Sequence, residues 1–464
     1  MRGSAGKLLS RAGITVFWLL VWQGLSLCLH NSILLSGPFE AAAYLEEHIF
    51  AISFWKTVGN SFLHIFAGFM LAFITGVFLG VLSAGHLLLE KFLSPLLQFM
   101  KAVPVASFVV LLLIFTGSEK LSISVTFLMA LPIIYQNVLE GVRNTDAELL
   151  EMAQIFKMPL RNRIFFIYRP SFMPFLISGS KVALGMSFKA GVAAEVIGTP
   201  DFSIGERIYM SKIYLDTAGL FAWTFVVIAL SFLFEKGFLL LLALLGNAKI
   251  KPVPLKICTD EKKENSGDIV ISSLSKHYGE KHIFTNISHI FSGSRIHALM
   301  GKSGCGKTTL FRIFLGLTDF EQGNIAVPQG RCGVVFQENR LCEKETPVRN
   351  ISMVAAKGRT EEEIKSVLSE ILPEECLGQP VEQLSGGMKR RTAIARALLC
   401  DSGWLLLDEP FTGLDEETKK RTIDFILRYR NKRTMIVATH QIEEVEKLSA
   451  QLVQWDQIGE ESDG

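Results

Sequence analysis

The chain has 464 residues, 49% of them hydrophobic and 20% charged, with a net charge of +2. That length allows two or three domains, and so even a balance gives no electrostatic footprint for nucleic acid, which is not expected as a partner. Seven cysteines (Cys28, Cys258, Cys305, Cys332, Cys342, Cys376 and Cys400) form no C-x-x-C pair, so they read as reduced thiols facing a cytosol rather than a disulfide framework or zinc site.

Apolar runs crowd the first 250 residues, at roughly 14–30, 58–84, 92–116, 121–142, 175–198 and 218–245. Each is near the ~20 residues that cross a lipid bilayer, which predicts an all-α polytopic membrane domain of about six spans over residues 1–250. Arg2, Lys7 and Arg11 precede the first run as they would in a signal peptide. Five more apolar runs follow and no convincing small-residue cleavage site does, so a retained span is expected. The basic N-terminus, the acidic first loop (Glu40, Glu46, Glu47) and the basic cluster Arg143, Lys157, Arg161, Arg163 and Arg169 set the orientation. They place a multi-pass protein in the cytoplasmic (inner) membrane, with both termini and the second half of the chain in the cytoplasm.

The loop between the fourth and fifth runs carries Glu148 and Glu151 at i,i+3 among apolar neighbours, which suits a short amphipathic helix across the cytoplasmic face. The plainer reading is a solvated basic loop. Glu151, Ala153 and Pro170 also fall at the spacing of the "EAA" loop in permeases of bacterial ABC importers, which they resemble. That resemblance implies a segment that docks on an ATPase. It is imperfect: Lys157 replaces the usual glycine, and Arg169 the leucine before the proline.

The fifth run holds Lys181, Lys189 and Glu195 among small residues. Intramembrane charges normally face a protein interior or a water-filled cavity, so these either line a translocation path or, for Lys181, snorkel to the cytoplasmic surface. Ala193-Ala194-Glu195-Val196-Ile197-Gly198, with Tyr214-Leu215-Asp216-Thr217 later, resembles permeases of the nitrate/sulfonate/taurine importer family.

Pro252, Pro254 and the polar run after them make 251–267 a linker; 268–456 reads as an α/β domain, and 457–464 as a polar tail. Ile269–Tyr278 fits a strand whose terminal Tyr278 is either an edge aromatic or a platform for a base. Gly301-Lys302-Ser303-Gly304-Cys305-Gly306-Lys307-Thr308 has the phosphate-loop pattern G-x-x-x-x-G-K-[ST]. Its glycines let the backbone curl so that successive N–H groups face phosphate oxygens; Lys307 reaches the β- and γ-phosphates, and the Thr308 hydroxyl ligates Mg²⁺. The apolar run Ile296–Met300 before it fits a buried strand. Thr309–Leu317 after it fits a helix whose positive N-terminus, at Thr309, faces the anion.

Trp404–Asp408 is a buried parallel strand ending in a carboxylate suited to Mg²⁺, and Glu409 next to it can polarise an attacking water. Met435–Thr439 fits a second such strand, ending at His440 where it can contact a γ-phosphate. Ser385, Gly386 and Gly387 open a helical pattern over Lys389–Leu399; alone they are a helix cap, but with the phosphate loop they suggest a second phosphate-binding element and two chains sharing two nucleotides.

Together the set resembles the ATPase domain of ABC transporters over about residues 268–456. The resemblance implies bound ATP and Mg²⁺, a Q-loop at Gln337 touching the metal, a signature at Ser385–Gly387, catalytic roles for Glu409, His440, Gln337 and Lys307, and Asp415 at the nucleotide. Met388, Gln337-Glu338 and Arg340-Leu341 again resemble the nitrate/sulfonate/taurine branch, whereas Glu343-Lys344 stands where that branch has Pro-Trp. Glu338, Glu343 and Glu345 there, against Lys157, Arg161 and Arg163 in the loop above, are either complementary partners, Glu343 with Lys157 among them, or coincidental surface charge.

The resemblance implies ATP-driven import of a small-molecule solute by a type I importer-like homodimer with permease and ATPase in one chain, served by a separate external solute-binding protein. An exporter half is the first alternative, disfavoured by the short membrane half. A membrane-anchored ATPase without transport is the second.

Overall fold

The computed structural model describes residues 2–29, 33–248, 250–253, 267–302, 304–355 and 359–458, the side chains of 2–12 excepted. Ser303, Lys249, Lys256, most of the expected linker (254–266) and the tail beyond Ile458 lie outside them, as do the side chains of Arg2, Lys7 and Arg11. The chain forms two compact units: Met1–Asn144 with Pro170–Ala248, and Thr145–Arg169 with Lys249–Gly464.

The first unit is helical. Among the described residues, Ile52–Gly85, Val105–Arg143 and Thr217–Gly246 are long and apolar enough to cross a membrane. Arg169–Gly198 is as long as the last of these but carries Lys181, Lys189 and Glu195. The expected span over 92–116 is not one helix. Leu87–Ala102 ends at Val103 (ψ 129°), and a new helix begins after Pro104, because a residue preceding proline is pushed out of the helical region. The expected break between 116 and 121 falls at Gly117, whose φ of 72° kinks the helix that follows.

Close approach holds the centre of this unit together. Gly68, Ala72, Gly76 and Gly80 are buried at four-residue intervals on Ile52–Gly85. A Cβ at Gly68 would lie 2.5 Å from the Ile123 carbonyl, and one at Gly76 2.9 Å from Ile134, so the small residues let the two longest helices touch backbone to backbone. Glu195 is wholly buried here, not on an open face. Its Oε2 accepts from Ser61 Oγ at 2.7 Å and from the Gly205 N–H at 3.2 Å, while Lys181 and Lys189 are exposed on the same helix.

The second unit is α/β. Strands β1 (Ile269–Tyr278), β2 (Lys281–Phe291) and β4 (Gln322–Ala326) form an antiparallel sheet in the order β2-β1-β4. Strands β3 (Ile296–Met300), β5 (Cys332–Val335), β6 (Trp404–Asp408), β7 (Thr434–Ala438) and β8 (Gln451–Gln454) form a parallel sheet in the order β5-β6-β7-β3-β8. β6 and β7 are buried at every position, as near-continuous apolar runs between helical layers must be. A parallel sheet gathers its C-terminal ends on one edge, so the chain leaving β3, β5, β6 and β7 converges there. The helix after β3 spans Lys307–Phe314, earlier than the expected Thr309–Leu317, because Gly306 at φ 112° caps it; the helix expected from Lys389 begins at Gly386.

Candidate functional site

The phosphate loop lies at that edge, between β3 and its helix. Gly304 (φ 80°) and Gly306 (φ 112°) take left-handed conformations that favour glycine. Gly301 is needed for room: a Cβ there would sit 2.7 Å from Trp455 Cβ, and one at Gly306 2.9 Å from Ile283. Lys307 Nζ folds over the loop and donates to the carbonyls of Gly301 (2.7 Å) and Lys302 (3.0 Å). Cys305 Sγ is 3.7 Å from that ammonium, and Thr309 lies in the first turn of the helix. Thr308 Oγ1 donates to Asp408 Oδ2 at 3.0 Å, so two residues a hundred positions apart meet where β3 and β6 end. Burial pushes the Asp408 carboxyl above its ordinary range, the Thr308 hydroxyl partly opposing it.

A hydroxyl and a carboxylate this close are oxygen donors that could together hold Mg²⁺. Among the described residues no cluster of three His, Cys, Asp or Glu side chains could hold a metal. A cation that takes most of its oxygens from water and phosphate fits such a sparse pair.

Glu409 follows β6 at φ 45°, its N–H donating to the Ala438 carbonyl at 3.0 Å. His440 Nδ1, two residues beyond β7, lies 3.7 Å from Glu409 Oε1 and is largely exposed. Gln337 is exposed just beyond β5. Tyr278 ends β1 with 51% of its surface exposed and Lys276 Nζ 4.8 Å from its ring centre. Ser385 Oγ accepts from the Met388 N–H at 3.3 Å and caps Gly386–Leu399; Ser385 and Gly386 are exposed, Gly387 partly so. Asp415 caps Glu416–Tyr429 through the Thr418 N–H at 2.9 Å, and that bond holds its carboxyl below the ordinary range.

Residues 145–169 pack into this same unit. Asp146 caps the helix Ala147–Ile155, whose Met152, Ala153 and Ile155, with Phe156 and Met158, are buried in one cluster with Leu310, Phe311, Phe314, Phe336 and Cys342. Each of the Met, Ile, Leu and Phe side chains contributes about 1.5–3 kcal/mol on burial. Lys157 holds φ 48°, the left-handed turn for which a glycine is usual, and keeps the turn at a cost of about 1–2 kcal/mol. Asn162 donates to the Val253 carbonyl and accepts from its N–H, both at 2.8 Å.

Of the two readings of these charges, the Glu343–Lys157 pairing is not the one formed here. Glu343 meets Lys389 (3.1 Å) and Glu345 meets Arg349 (3.0 Å), both within the α/β part, and no ion pair joins Glu343 to Lys157 among the described residues. Instead Glu151 accepts from Arg312 Nη2 at 2.7 Å and Nη1 at 3.2 Å, and from Arg340 Nη1 at 2.7 Å. Arg312, then Arg340, hold its carboxyl below the usual carboxylate range. Arg340 also stacks on Phe336, its guanidinium carbon 3.9 Å from the ring centre. Sequence reading gave Arg340 only as part of a family pattern, without its role at Glu151, and missed Arg312 and Trp455. An arginine five residues past Lys307 and another three past Gln337 were the available signal.

The fold and this edge define a nucleotide-binding domain with a permease segment packed into it. Residues 284–412 match the family model described as ABC transporter, and residues 73–239 that described as binding-protein-dependent transport system inner membrane component. The chain is 35% identical over 179 residues to an aliphatic sulfonates import ATP-binding protein of Burkholderia cenocepacia, covering 36% of this chain and 66% of that one. It is 34% identical over 206 residues to a sulfate/thiosulfate import ATP-binding protein of Acinetobacter baylyi, covering 40% and 58%. An aliphatic sulfonates import ATP-binding protein of Corynebacterium glutamicum is 32% identical over 182 residues, covering 38% and 74%. The chain thus spans 58% and 66% of the first two relatives' lengths. It belongs to the ABC transporter family, and it joins an inner-membrane component to an ATP-binding domain.

Proposed function

We propose that the chain is one half of an ATP-driven importer, in which two copies share two nucleotide sites and a separate external solute-binding protein delivers a small solute. The observation that carries this reading is Glu151, from a segment between two apolar helices, clasped by Arg312 behind the phosphate loop and Arg340 beyond Gln337. A segment tied to both sides of a nucleotide site can report on it. Both termini and the ATP-binding domain then lie in the cytoplasm.

Lys307 Nζ exchanges its loop carbonyls for phosphate oxygens, Tyr278 stacks on the base, and Ser385–Gly387 of the second copy close over the phosphates, with Asp415 at the seam. Thr308, Asp408 and Gln337 would hold Mg²⁺, which when bound would neutralise charge on the phosphates. Glu409 orients the attacking water and takes its proton, and His440 steadies that carboxylate and the γ-phosphate. Catalysis of this kind is mostly positioning and electrostatics.

The relatives' names make sulfate, thiosulfate and aliphatic sulfonates the first solutes to try. The test is ATPase activity of the chain in lipid nanodiscs, with candidate binding proteins loaded from a solute panel. Stimulation by one loaded binding protein is expected. Indifference to all of them, with activation by a hydrophobic compound added directly, would replace the importer with an exporter. Glu409→Gln should keep ATP binding and lose hydrolysis by on the order of 100-fold or more; undiminished turnover sinks the assignment of the base.

A further inference from the structure

We propose that Arg390, on the helix Gly386–Leu399, is a positioning residue for hydrolysis: its guanidinium locks the turn carrying Glu409 and the segment carrying Gln337 into one frame. The side chain is 4% exposed. Nη2 donates to the carbonyls of Asp408 and of Glu409 (2.7 Å), and Nε to that of Pro410 at 3.2 Å. Nη1 donates to the carbonyls of Phe336 and Gln337 (3.2 Å) and to Asn339 Oδ1 at 3.4 Å. Three consecutive carbonyls starting at the last residue of β6 and the first residues after β5 thus converge on one planar fork.

Such convergence explains the backbone of Glu409. Its φ of 45° is a left-handed conformation that a side-chain-bearing residue keeps only when its surroundings over-determine it. Turning the chain this way aims the Asp408, Glu409 and Pro410 carbonyls at one donor, and the same turn fixes where the Glu409 carboxylate leaves the backbone.

Arginine suits the position better than lysine or glutamine. It offers five N–H groups in a rigid plane, whereas lysine offers three on a point and glutamine two on one nitrogen. The helix that carries Arg390 begins at Ser385–Gly387, so movement there reaches Glu409 and the Gln337 segment together. This inference rests on the ATPase reading above.

The experiment compares the full chain in nanodiscs with Arg390→Lys, Arg390→Gln, Glu409→Gln and the Arg390→Gln/Glu409→Gln double variant. Four quantities are read: kcat, KM for ATP, affinity for a fluorescent ATP analogue, and hydrogen exchange over 336–340 and 408–412. Arg390→Lys and Arg390→Gln should each lower kcat by on the order of 100-fold, as a misplaced group does, with KM and nucleotide affinity within about threefold. Exchange should rise in both segments, and on the Glu409→Gln background Arg390→Gln should cost no further rate, because the two act as a unit.

Retention of a third or more of wild-type kcat, an equal loss on both backgrounds, or unchanged exchange in Arg390→Lys would each overturn the proposal. A wild-type chain that hydrolyses no ATP would overturn the ATPase reading instead, while exchange in Arg390→Lys still decides whether the frame exists. Should Arg390→Gln fail to fold, Arg390→Lys carries the kinetic comparison.

Discussion

The phosphate loop and the 145–169 segment lie in the same unit, yet opposite means hold them. In the loop, backbone conformation is decisive: Gly304 and Gly306 hold positive φ, and Lys307 bonds to carbonyls of its own loop. In the segment, side chains decide: an apolar face of Met152, Ile155 and Phe156, and one carboxylate between two arginines. A backbone device has to sit in consecutive residues and so is visible as a motif. A side-chain device can draw its parts from positions 151, 312 and 340 and is visible only once they meet.

The largest effect should come from breaking the backbone device. Gly306→Ala forces a Cβ onto a residue at φ 112°, 2.9 Å from Ile283 and 3.1 Å from Phe284. Equilibrium binding of ATP should weaken by at least about 100-fold, since several phosphate contacts shift together. Breaking the side-chain device should spare that binding. Glu151→Ala takes from Arg340, whose side chain is only 6% exposed, its hydrogen-bonded carboxylate, leaving Glu338 at 3.6 Å and Glu148 at 3.8 Å as its longer ion pairs. It should destabilise the docked segment by about 1–3 kcal/mol, less than for a fully buried pair because Glu151 is 27% exposed. Basal ATPase should stay within about threefold while stimulation by a loaded binding protein falls about tenfold or more.

Acid separates the two regions without mutation. Because the folded Glu151 carboxyl titrates below its ordinary value, its contribution is fully present above the unfolded pKa and is lost as pH falls through the folded one. Hydrogen exchange over 147–156 should therefore rise at the acid end, and Glu151→Gln, which has no charge to lose, should flatten that dependence. The smallest effect belongs to Glu343→Lys. Glu343 is 64% exposed and its carboxylate pairs with Lys389 among the described residues, a pair contributing about 0–1 kcal/mol, so coupled ATPase should stay within about twofold.

Legibility in the sequence follows the same division. Ile296–Met300 and Trp404–Asp408 have the bounds their apolar runs predict, because a strand covered on both faces has little choice of composition. Helix ends moved by two or three residues where a cap, Gly306 or Ser385, set the start. The break at Val103-Pro104 was encoded by the proline, but hydropathy averaged over 92–116 runs across it. Charge pairing was the least legible. The basic residues cluster densely at Lys157, Arg161 and Arg163, yet Lys157 and Arg161 are exposed while the carboxylate two turns earlier makes the contact. Composition records how many charges a loop has; geometry decides which of them face a partner.

The Asn162 side chain grips both the N–H and the carbonyl of Val253, so the chain leaving the last helix is pinned beside the 145–169 segment before it enters the α/β domain. The covalent join is then a tether fastened at Val253, and what it adds is effective concentration, of roughly millimolar order where a tether is short. At such a concentration even a weak clasp stays occupied. The consequence is one of ownership: with both domains in one chain, the ATP-binding domain stays with the inner-membrane component it is joined to. Competition from a foreign ATPase domain would have to overcome the tether as well as the contact.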